Sequence, residues 1–557
     1  MPGPIVLAQP PPDTSFPGLS EIGEQFTSSS GLMLLGALGI LGLLALLPGG
    51  AGKAKLARSH WATSHQQRRA NHLAIQQIKA QKNNAVALSI GVPGSRSSLH
   101  FPDVQRGVAV LGAPGSGKTY SVITPFMVSA LLQGFPVIVY DYKYPGQTAD
   151  LAPLAQHLGY DVHIFAPGYL ESSTCNLLDF MTSAADIAAA RQIARVINSN
   201  AARTGETHHS DDPFFSDAGE QITVAALSLA KGSPYPDLAM AHAILRLPGL
   251  AERLHTAVDL PLWSRLNFDQ LLAVADSERT AASILGTATG YFTRFMDANL
   301  LRSVIGTTTL PLTLTGRQLI VIGMDKQRRD AVSPLVASVL HMLIVNNTHA
   351  SRQAPLIISL DELPTLYLPS LVQWINEHRE QGLALILGAQ NLAQLEKTYG
   401  PTATRAIFGA CATKALFNPG ETVSAEVFAR LLGDEEVRYT DPARSRSKGK
   451  TTISRSLQRR TRKLFEPNQF LTLPPGMAVL MNPGYGNRRQ GALPVKQVIK
   501  VSPSITGMTD TSRAAWNRLR PLLIQRSQRP AIAAADLEVR MSHAKALLPA
   551  SSSDKNL

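Results

Sequence analysis

Residues 108–119 read VAVLGAPGSGKT. Val108, Ala109, Val110 and Leu111 predict a short buried strand. Gly112, Ala113, Pro114, Gly115, Ser116, Gly117, Lys118 and Thr119 then match the phosphate-loop pattern G-x-x-x-x-G-K-[ST] in full. Glycines let successive backbone N–H groups turn inward around an anion. Lys118 is expected to reach the β- and γ-phosphates, and Thr119 to place its hydroxyl on Mg²⁺. Residues 120–132 predict a helix, so the positive end of its dipole points at the phosphates. Tyr120, its first residue, completes the set expected to bind ATP. A strand, a loop and a helix in this order belong to an α/β sheet, and this restricts the fold more than any other stretch does.

A phosphate loop binds but does not by itself hydrolyse. The partner it needs is a buried strand ending in acids, and residues 355–366, PLIISLDELPTL, supply one. Asp361 is expected in the Mg²⁺ shell, and Glu362 to orient or deprotonate the attacking water. Acids after a strand also cap helices. The pairing with the loop at Gly112 favours catalysis.

Between and around these motifs, apolar runs at residues 135–141, 160–165, 319–324, 383–390 and 413–417 alternate with helical patterns. That alternation predicts a mostly parallel sheet covered on both faces. The predicted nucleotide-binding domain spans residues 85–171 and 309–500. Its strand pattern stops at 172–308, where amphipathic periods at 184–198, 214–230, 238–247 and 277–299 predict an inserted all-α domain. Asp141, Lys143 and Gln390 fall at carboxyl ends of strands, where ligands of open α/β sheets bind; for Asp141 and Lys143 a local structural role is the equal alternative. An amide at Gln390 can sense a γ-phosphate, orient water, or simply cap a turn. His208 and His209 with Asp211 and Asp212 lie in a polar run without a helical register to aim metal ligands. Cys175 and Cys411 have no metal-ligand spacing and read as buried structural thiols.

The formal charge of +13 favours an anionic partner, nucleic acid or a membrane surface. Residues 31–48 are apolar and end at Pro48; a helix over them spans ~25 Å, the short end of what crosses a bilayer. Residues 1–30 contain no Lys or Arg, whereas residues 53–102 carry Lys53, Lys55, Arg58, Arg68, Arg69, Lys79, Lys82 and Arg96 and no acid. By the positive-inside rule the first thirty residues are an external polar segment and the rest is cytoplasmic, a single-pass arrangement. Residues 49–84 form a basic juxtamembrane linker, either a helix lying on anionic lipid or a solvated spacer. Residues 441–464 read as a flexible basic loop: between 444 and 463 there are nine Lys or Arg, no acid and few apolar residues. It either tracks phosphates or is merely solvated. Residues 501–557 read as a basic C-terminal tail with one short helix at 511–520, stopped by Pro521.

Together these motifs resemble the type IV coupling proteins of bacterial conjugation and type IV secretion, the TraG/TraD-like family. The likeness is carried by GAPGSGKT with Pro125, by VYDYKYPG, by Asn176-Leu177-Leu178-Asp179, by Pro213-Phe214-Phe215, by LDELPTL, by LGAQNLAQLEKTYG, and by FEPNQFLTLPPGMAVLMNP. It covers about residues 30 to 500. The resemblance implies a RecA-like ATPase anchored in the bacterial inner membrane, with an inserted all-α domain, usually assembled as a homo-hexamer with ATP between subunits. It also implies partners: a single-stranded DNA–relaxase complex or a protein substrate, and the components of a secretion channel. Two departures stand out. The family commonly has two membrane helices, and one is visible here. Asp141-Tyr142-Lys143-Tyr144-Pro145 lacks the family's Gly-Glu after the Lys.

A ring motor needs a neighbour's arginine at the γ-phosphate. Arg379, Arg405 and Arg430 are candidates, Arg379 first because the predicted helix at 371–381 would end beside it. Competing readings are an FtsK-type double-stranded DNA translocase, a substrate receptor in which ATP drives assembly without translocation, and a small-molecule ATPase. The membrane segment and the charge disfavour the last.

Overall fold

The computed structural model describes residues 59–204, 213–257, 260–447, 450–486 and 491–550. The predicted membrane segment, the external segment, His208, His209, Asp211 and Asp212 lie outside the described residues. One compact unit is Ser59–Gly433 with Lys463–Leu557; the described part of the other is Asp434–Arg462.

In the larger unit a short antiparallel pair, β1 (Leu88–Ile90) and β2 (Leu99–Phe101), leads into the main sheet. Seven strands there run parallel: β3 (Val108–Leu111), β4 (Val137–Asp141), β5 (Asp161–Phe165), β6 (Gln318–Gly323), β7 (Leu356–Leu360), β8 (Leu383–Ala389) and β9 (Thr413–Leu416). Two more strands follow a separate two-stranded sheet, β10 (Asp434–Ser447) with β11 (Lys450–Lys463). They are β12 (Met477–Asn482), antiparallel to β9, and β13 (Leu493–Val498), antiparallel to β12. The order across the main sheet is β13-β12-β9-β3-β8-β7-β4-β6-β5. This is a RecA-like α/β fold: one strand, β8, separates the phosphate-loop strand from the acid-tipped strand.

The strands are apolar throughout because both faces are covered. Alternate residues serve opposite sides. Val108, Val110, Val137, Val139, Ile357 and Ile386 join a core capped by the helices Thr124–Leu132, Gly146–His157 and Pro503–Arg526. Ala109, Leu111, Ile138, Ile358 and Leu385 join a second core under Arg329–Thr348. That helix is long and apolar enough to cross a bilayer, but most of it is buried in the core.

Between β5 and β6 the described residues form helices and no strands: Ile187–Thr204, Pro213–Lys231, Leu238–Leu245, Leu250–Thr256, Leu262–Ala273, Glu278–Thr293 and Ala298–Leu301. They do not form a core of their own. Ile193, Ile222 and Phe268 belong to the same core as Ile320 and Leu385. The reason is Arg329–Thr348, buried on all sides, which packs both on the sheet and on Ile187–Thr204.

Three expected connecting segments are ordered elements. Within the linker, Ser64–Ala80 is a helix opened by a capping box at Thr63. One face of it packs on the sheet domain: Ala70 and Ala74 are buried, and Gln77 exchanges hydrogen bonds with the side chain and backbone of Asp103 at 2.7 and 3.0 Å. The predicted basic loop is the strand pair β10 and β11. Arg and Ser alternate there, so no apolar period marks the strands, although Thr and Ile favour them. The acids that Arg459 and Arg462 pair with, Glu436 and Glu435, lie upstream of the basic run. Finally, the tail forms two helices, Pro503–Arg526 and Ala534–Leu547. The first continues through Pro521. A helix-interior proline costs about 3 kcal/mol. Buried Ile505, Trp516, Leu519 and Leu523 each return about 1.5–3 kcal/mol. Cys175 and Cys411 are buried and free, as expected.

His341, on Arg329–Thr348, packs against Trp374 with ring centroids 5.0 Å apart. Burial and the positive charge of Arg195 lower its pKa to about 4. The unfolded chain therefore binds this proton more readily, and the stability is present above pH ~6.5 and lost as pH falls toward 4. Urea unfolding between pH 7 and 4.5 should show a His341→Gln variant losing less stability than wild type, by roughly 3 kcal/mol at most. Parallel curves would contradict this.

Candidate nucleotide site

The loop after β3 is held on three sides. Gly112 N donates to Ala389 O of β8 at 3.1 Å, and Ala113 N to Asn418 O beyond β9 at 2.8 Å. Gly476 N donates to Ser116 O at 2.9 Å. Two glycines are sterically required. A Cβ on Gly112 would stand 2.4 Å from Ser116 Oγ and 2.7 Å from Phe417 Cβ. Gly117, at φ +96°, would place one 3.0 Å from Gly476 N. The chain then turns through Thr119–Ile123 into Thr124–Leu132, so the helix starts at the loop as expected. Tyr120 is the exception within the set: its ring is exposed, with the hydroxyl 3.5 Å from Thr506 Oγ1 rather than in the phosphate cradle.

The acid pair closes on this loop. Thr119 Oγ1 donates to Asp361 Oδ2 at 2.6 Å, and Lys118 Nζ lies 3.7 Å from Glu362 Oε2. Gln390 Nε2 donates to Glu362 Oε1 at 2.5 Å, so the amide at the end of β8 is brought into the site. Glu362 adopts φ +66°, rare for a residue with a Cβ. The turn is secured by Thr365, whose N–H and hydroxyl both donate to Glu362 O, at 3.0 and 2.6 Å. Its effect is to send Asp361 and Glu362 to different partners. Burial raises the Asp361 pKa, opposed by the Thr119 hydrogen bond and the charge of Lys118.

These residues fit a magnesium-bound triphosphate. Asp361 Oδ1 and Ser116 Oγ are buried with no hydrogen-bond partner among the described residues. Asp361 Oδ2, which accepts from Thr119 and Gln147, is the carboxylate oxygen turned toward the loop. A cavity of about 350 Å³ opens beside them, lined by Lys118, Thr119, Lys143, Asp361, Glu362 and Arg513.

Of the strand-end residues, Lys143 lines that cavity, as does Asp141. Asp141 is engaged locally: Oδ2 accepts from Thr148 N and Oγ1 at 2.9 and 2.8 Å, and burial raises its pKa. Arg379 is not brought to this cavity. The helix ends at Glu377, and Arg379 is exposed in the turn into β8, at the opposite edge of the sheet from the phosphate loop. Arg405 and Arg430 are exposed on Leu392–Ala410 and Thr422–Leu432.

Two participants went unforeseen. Gln147 Nε2 donates to Asp361 Oδ2 at 2.7 Å. It follows Gly146, two residues later than the family pattern places its Gly-Glu, so the insertion of Tyr144-Pro145 hid it. Arg513 comes from Pro503–Arg526, and ion-pairs with Asp150 at 2.8 Å. No local pattern announces a contribution from so far along the chain.

Comparison with known proteins accords with this geometry. The profile of the type IV secretion-system coupling protein DNA-binding domain matches residues 96–487. The chain belongs to the type IV coupling protein family. Coupling protein TraD of Escherichia coli (strain K12) is 40% identical over 77 residues, 14% of this chain and 11% of TraD. The match thus spans about a tenth of that relative. The bacterial conjugative coupling protein TrwBdeltaN70, in its unbound form, superposes with a TM-score of 0.54 at 15% identity, covering 82% of this coupling protein and 97% of the other. Plasmid coupling protein TrwB in complex with ADP and Mg²⁺ gives 0.53 at 17% identity over 82% and 96%. At such identities the likeness is one of fold.

Because Glu362 contributes no phosphate ligand of its own, Glu362→Gln should leave nucleotide affinity within a few-fold. It should slow turnover by about 10²–10⁴-fold. Parallel measurement of fluorescent-nucleotide binding and phosphate release checks the split; equal losses in both would contradict it.

Proposed function

We propose that this chain is a membrane-anchored coupling ATPase. It recruits a single-stranded DNA–relaxase complex or a protein substrate and uses ATP hydrolysis to move it toward a type IV secretion channel. The observation that carries the reading is the convergence of Lys118, Thr119, Asp361, Glu362 and Gln390 at one edge of the sheet. TrwB binding ADP with Mg²⁺ supports the same assignment of cofactors here.

Magnesium, when bound, would offset negative charge on the β- and γ-phosphates. Asp361 and Thr119 are the side chains placed to hold it. The backbone nest of Gly112–Thr119 binds the phosphates, and their charge competes with Glu362 for the Lys118 ammonium. Glu362, so released, can take a proton from the attacking water, while Gln390 fixes its orientation. In a ring of six, a neighbour's arginine supplies the remaining positive charge, and Arg379 remains the first candidate. Its place on the edge away from its own phosphate loop is compatible with service to another subunit. Residues 31–48 are assigned as a single span of the bacterial inner membrane, with the motor on the cytoplasmic side. The helices within 172–308 are assigned to receiving the substrate complex.

Full-length protein should hydrolyse ATP several-fold faster with single-stranded DNA than without, and Lys118→Ala should abolish both rates. Turnover indifferent to DNA at low salt would remove the translocating reading and leave that of a receptor.

A further inference from the structure

A second, larger cavity, of about 490 Å³, lies against the nucleotide cavity, with Tyr142 and Glu362 forming part of both walls. Three cations line it: Arg203, Arg329 and Lys397. None of the three pairs with a carboxylate among the described residues. Arg329 Nε is buried without a hydrogen-bond partner among the described residues. Arg203 lies over the ring of Tyr367 at 3.5 Å and is further fixed by donating to Ser199 O at 2.8 Å. The acids in the cavity's lining are Asp330 and Glu362. Cations grouped without carboxylate partners are the chemistry that holds the phosphates of a nucleic-acid strand; the cavity's tyrosines serve the cations, Tyr367 lying under Arg203 and packing on Tyr399 with ring centroids 5.3 Å apart, and Tyr142 lying under Lys326.

The cavity is connected to catalysis by side chains. Gln394, on its wall, donates from Nε2 to Gln390 Oε1 at 3.0 Å, and Gln390 donates to Glu362 Oε1 at 2.5 Å. Lys397 lies one turn further along the same helix, Leu392–Ala410. Asn200, also in the lining, exchanges hydrogen bonds with the Tyr367 backbone at 2.8 and 2.9 Å, joining the helix Ile187–Thr204 to the segment that follows Glu362.

We propose that this cavity takes a phosphodiester of the substrate strand on Arg203, Arg329 and Lys397, and that its occupancy repositions Gln394 and Gln390 and thereby Glu362. It makes hydrolysis depend on the strand being in place. The proposal rests on the reading of this chain as a DNA-stimulated ATPase. Gln394 is here a positioning residue, since it acts through Gln390.

The test uses the full chain, an oligodeoxythymidylate and, as a separate arm, inorganic phosphate. For each protein the DNA-stimulated rate is divided by its own unstimulated rate. Lys397→Ala and Arg329→Gln should lower that ratio about fivefold or more and reduce the salt dependence of strand binding by about one unit each, with Lys397→Arg restoring both. Gln394→Leu should lower the ratio while leaving the salt dependence at the wild-type value, a split that mere damage to the fold would not produce. Wild-type ratios and salt dependence in Lys397→Ala and Arg329→Gln would overturn the proposal. It would equally be overturned if strand stimulation persisted in those variants while product inhibition by inorganic phosphate weakened, because the ion taken would then be the free one. A wild-type protein that DNA fails to stimulate would instead remove the underlying reading.

Discussion

The hydrogen bond from Thr119 to Asp361 joins residues 242 positions apart, and the rest of the molecule is arranged so that it can form. One partner ends the phosphate loop and the other ends β7. They meet because β8 alone lies between their strands, paired to β3 from Val108↔Ile386 to Leu111↔Ala389 and to β7 from Leu356↔Leu383 to Leu360↔Leu387. In a parallel sheet all carboxyl ends share one edge, so three strands deliver a loop, an amide and an acid pair to the same place. A slip of one residue in either pairing would turn those side chains to the other face. Register is therefore a requirement for assembling this site, and it is enforced by burial on both sides of the sheet.

The surroundings are recruited to that edge from distant parts of the chain. Gly476, ahead of β12, presses on Gly117, and Asn418, beyond β9, holds Ala113. Pro503–Arg526 packs on Gly146–His157, where Ser512 accepts from Leu154 N and donates to Ala149 O, both at 3.0 Å. Arg513 reaches the nucleotide cavity from this helix, and Arg520 pairs at 2.9 Å with buried Glu171, which also accepts from Tyr144. The final described helix anchors on the helical region by a buried pair, Arg540 with Asp237, at 2.5 Å. The carboxyl-terminal helices thus touch both the sheet and the helical region. Ile505, Trp516, Leu519 and Leu523 of the first join the core on one face of the sheet, and Ala544 of the second joins the core on the other.

Much of this was legible in the residues. Apolar runs such as LALILGA and VIVYD are readable because a strand buried on both faces has no polar alternation to obscure it. The loop and acid pair were readable because phosphate chemistry restricts them to a few residue types. What was hidden has physical reasons. β10 and β11 carry Arg, Ser and Thr where apolar alternation would normally mark a strand. Pro521 signals a helix end locally, and only tertiary burial of Trp516 and Leu523 overrides it. Gln147 was displaced by Tyr144-Pro145, and the end of the helix at Glu377, rather than at 381, follows from no capping residue in the sequence. The likeness to the coupling protein family supplied the fold and left these local arrangements to be found in the structure.

Whether the loop and the acid strand form one magnesium-nucleotide site is decided by a double-mutant cycle: magnesium-dependent binding of a fluorescent ATP analogue to wild type, Thr119→Ala, Asp361→Asn and the double variant. Each single change should remove most of the magnesium-dependent gain in affinity. The double should be little worse than either, a coupling energy of about 1–3 kcal/mol. Losses that simply add, or a magnesium response surviving in Asp361→Asn, would mean that the two motifs do not share an ion.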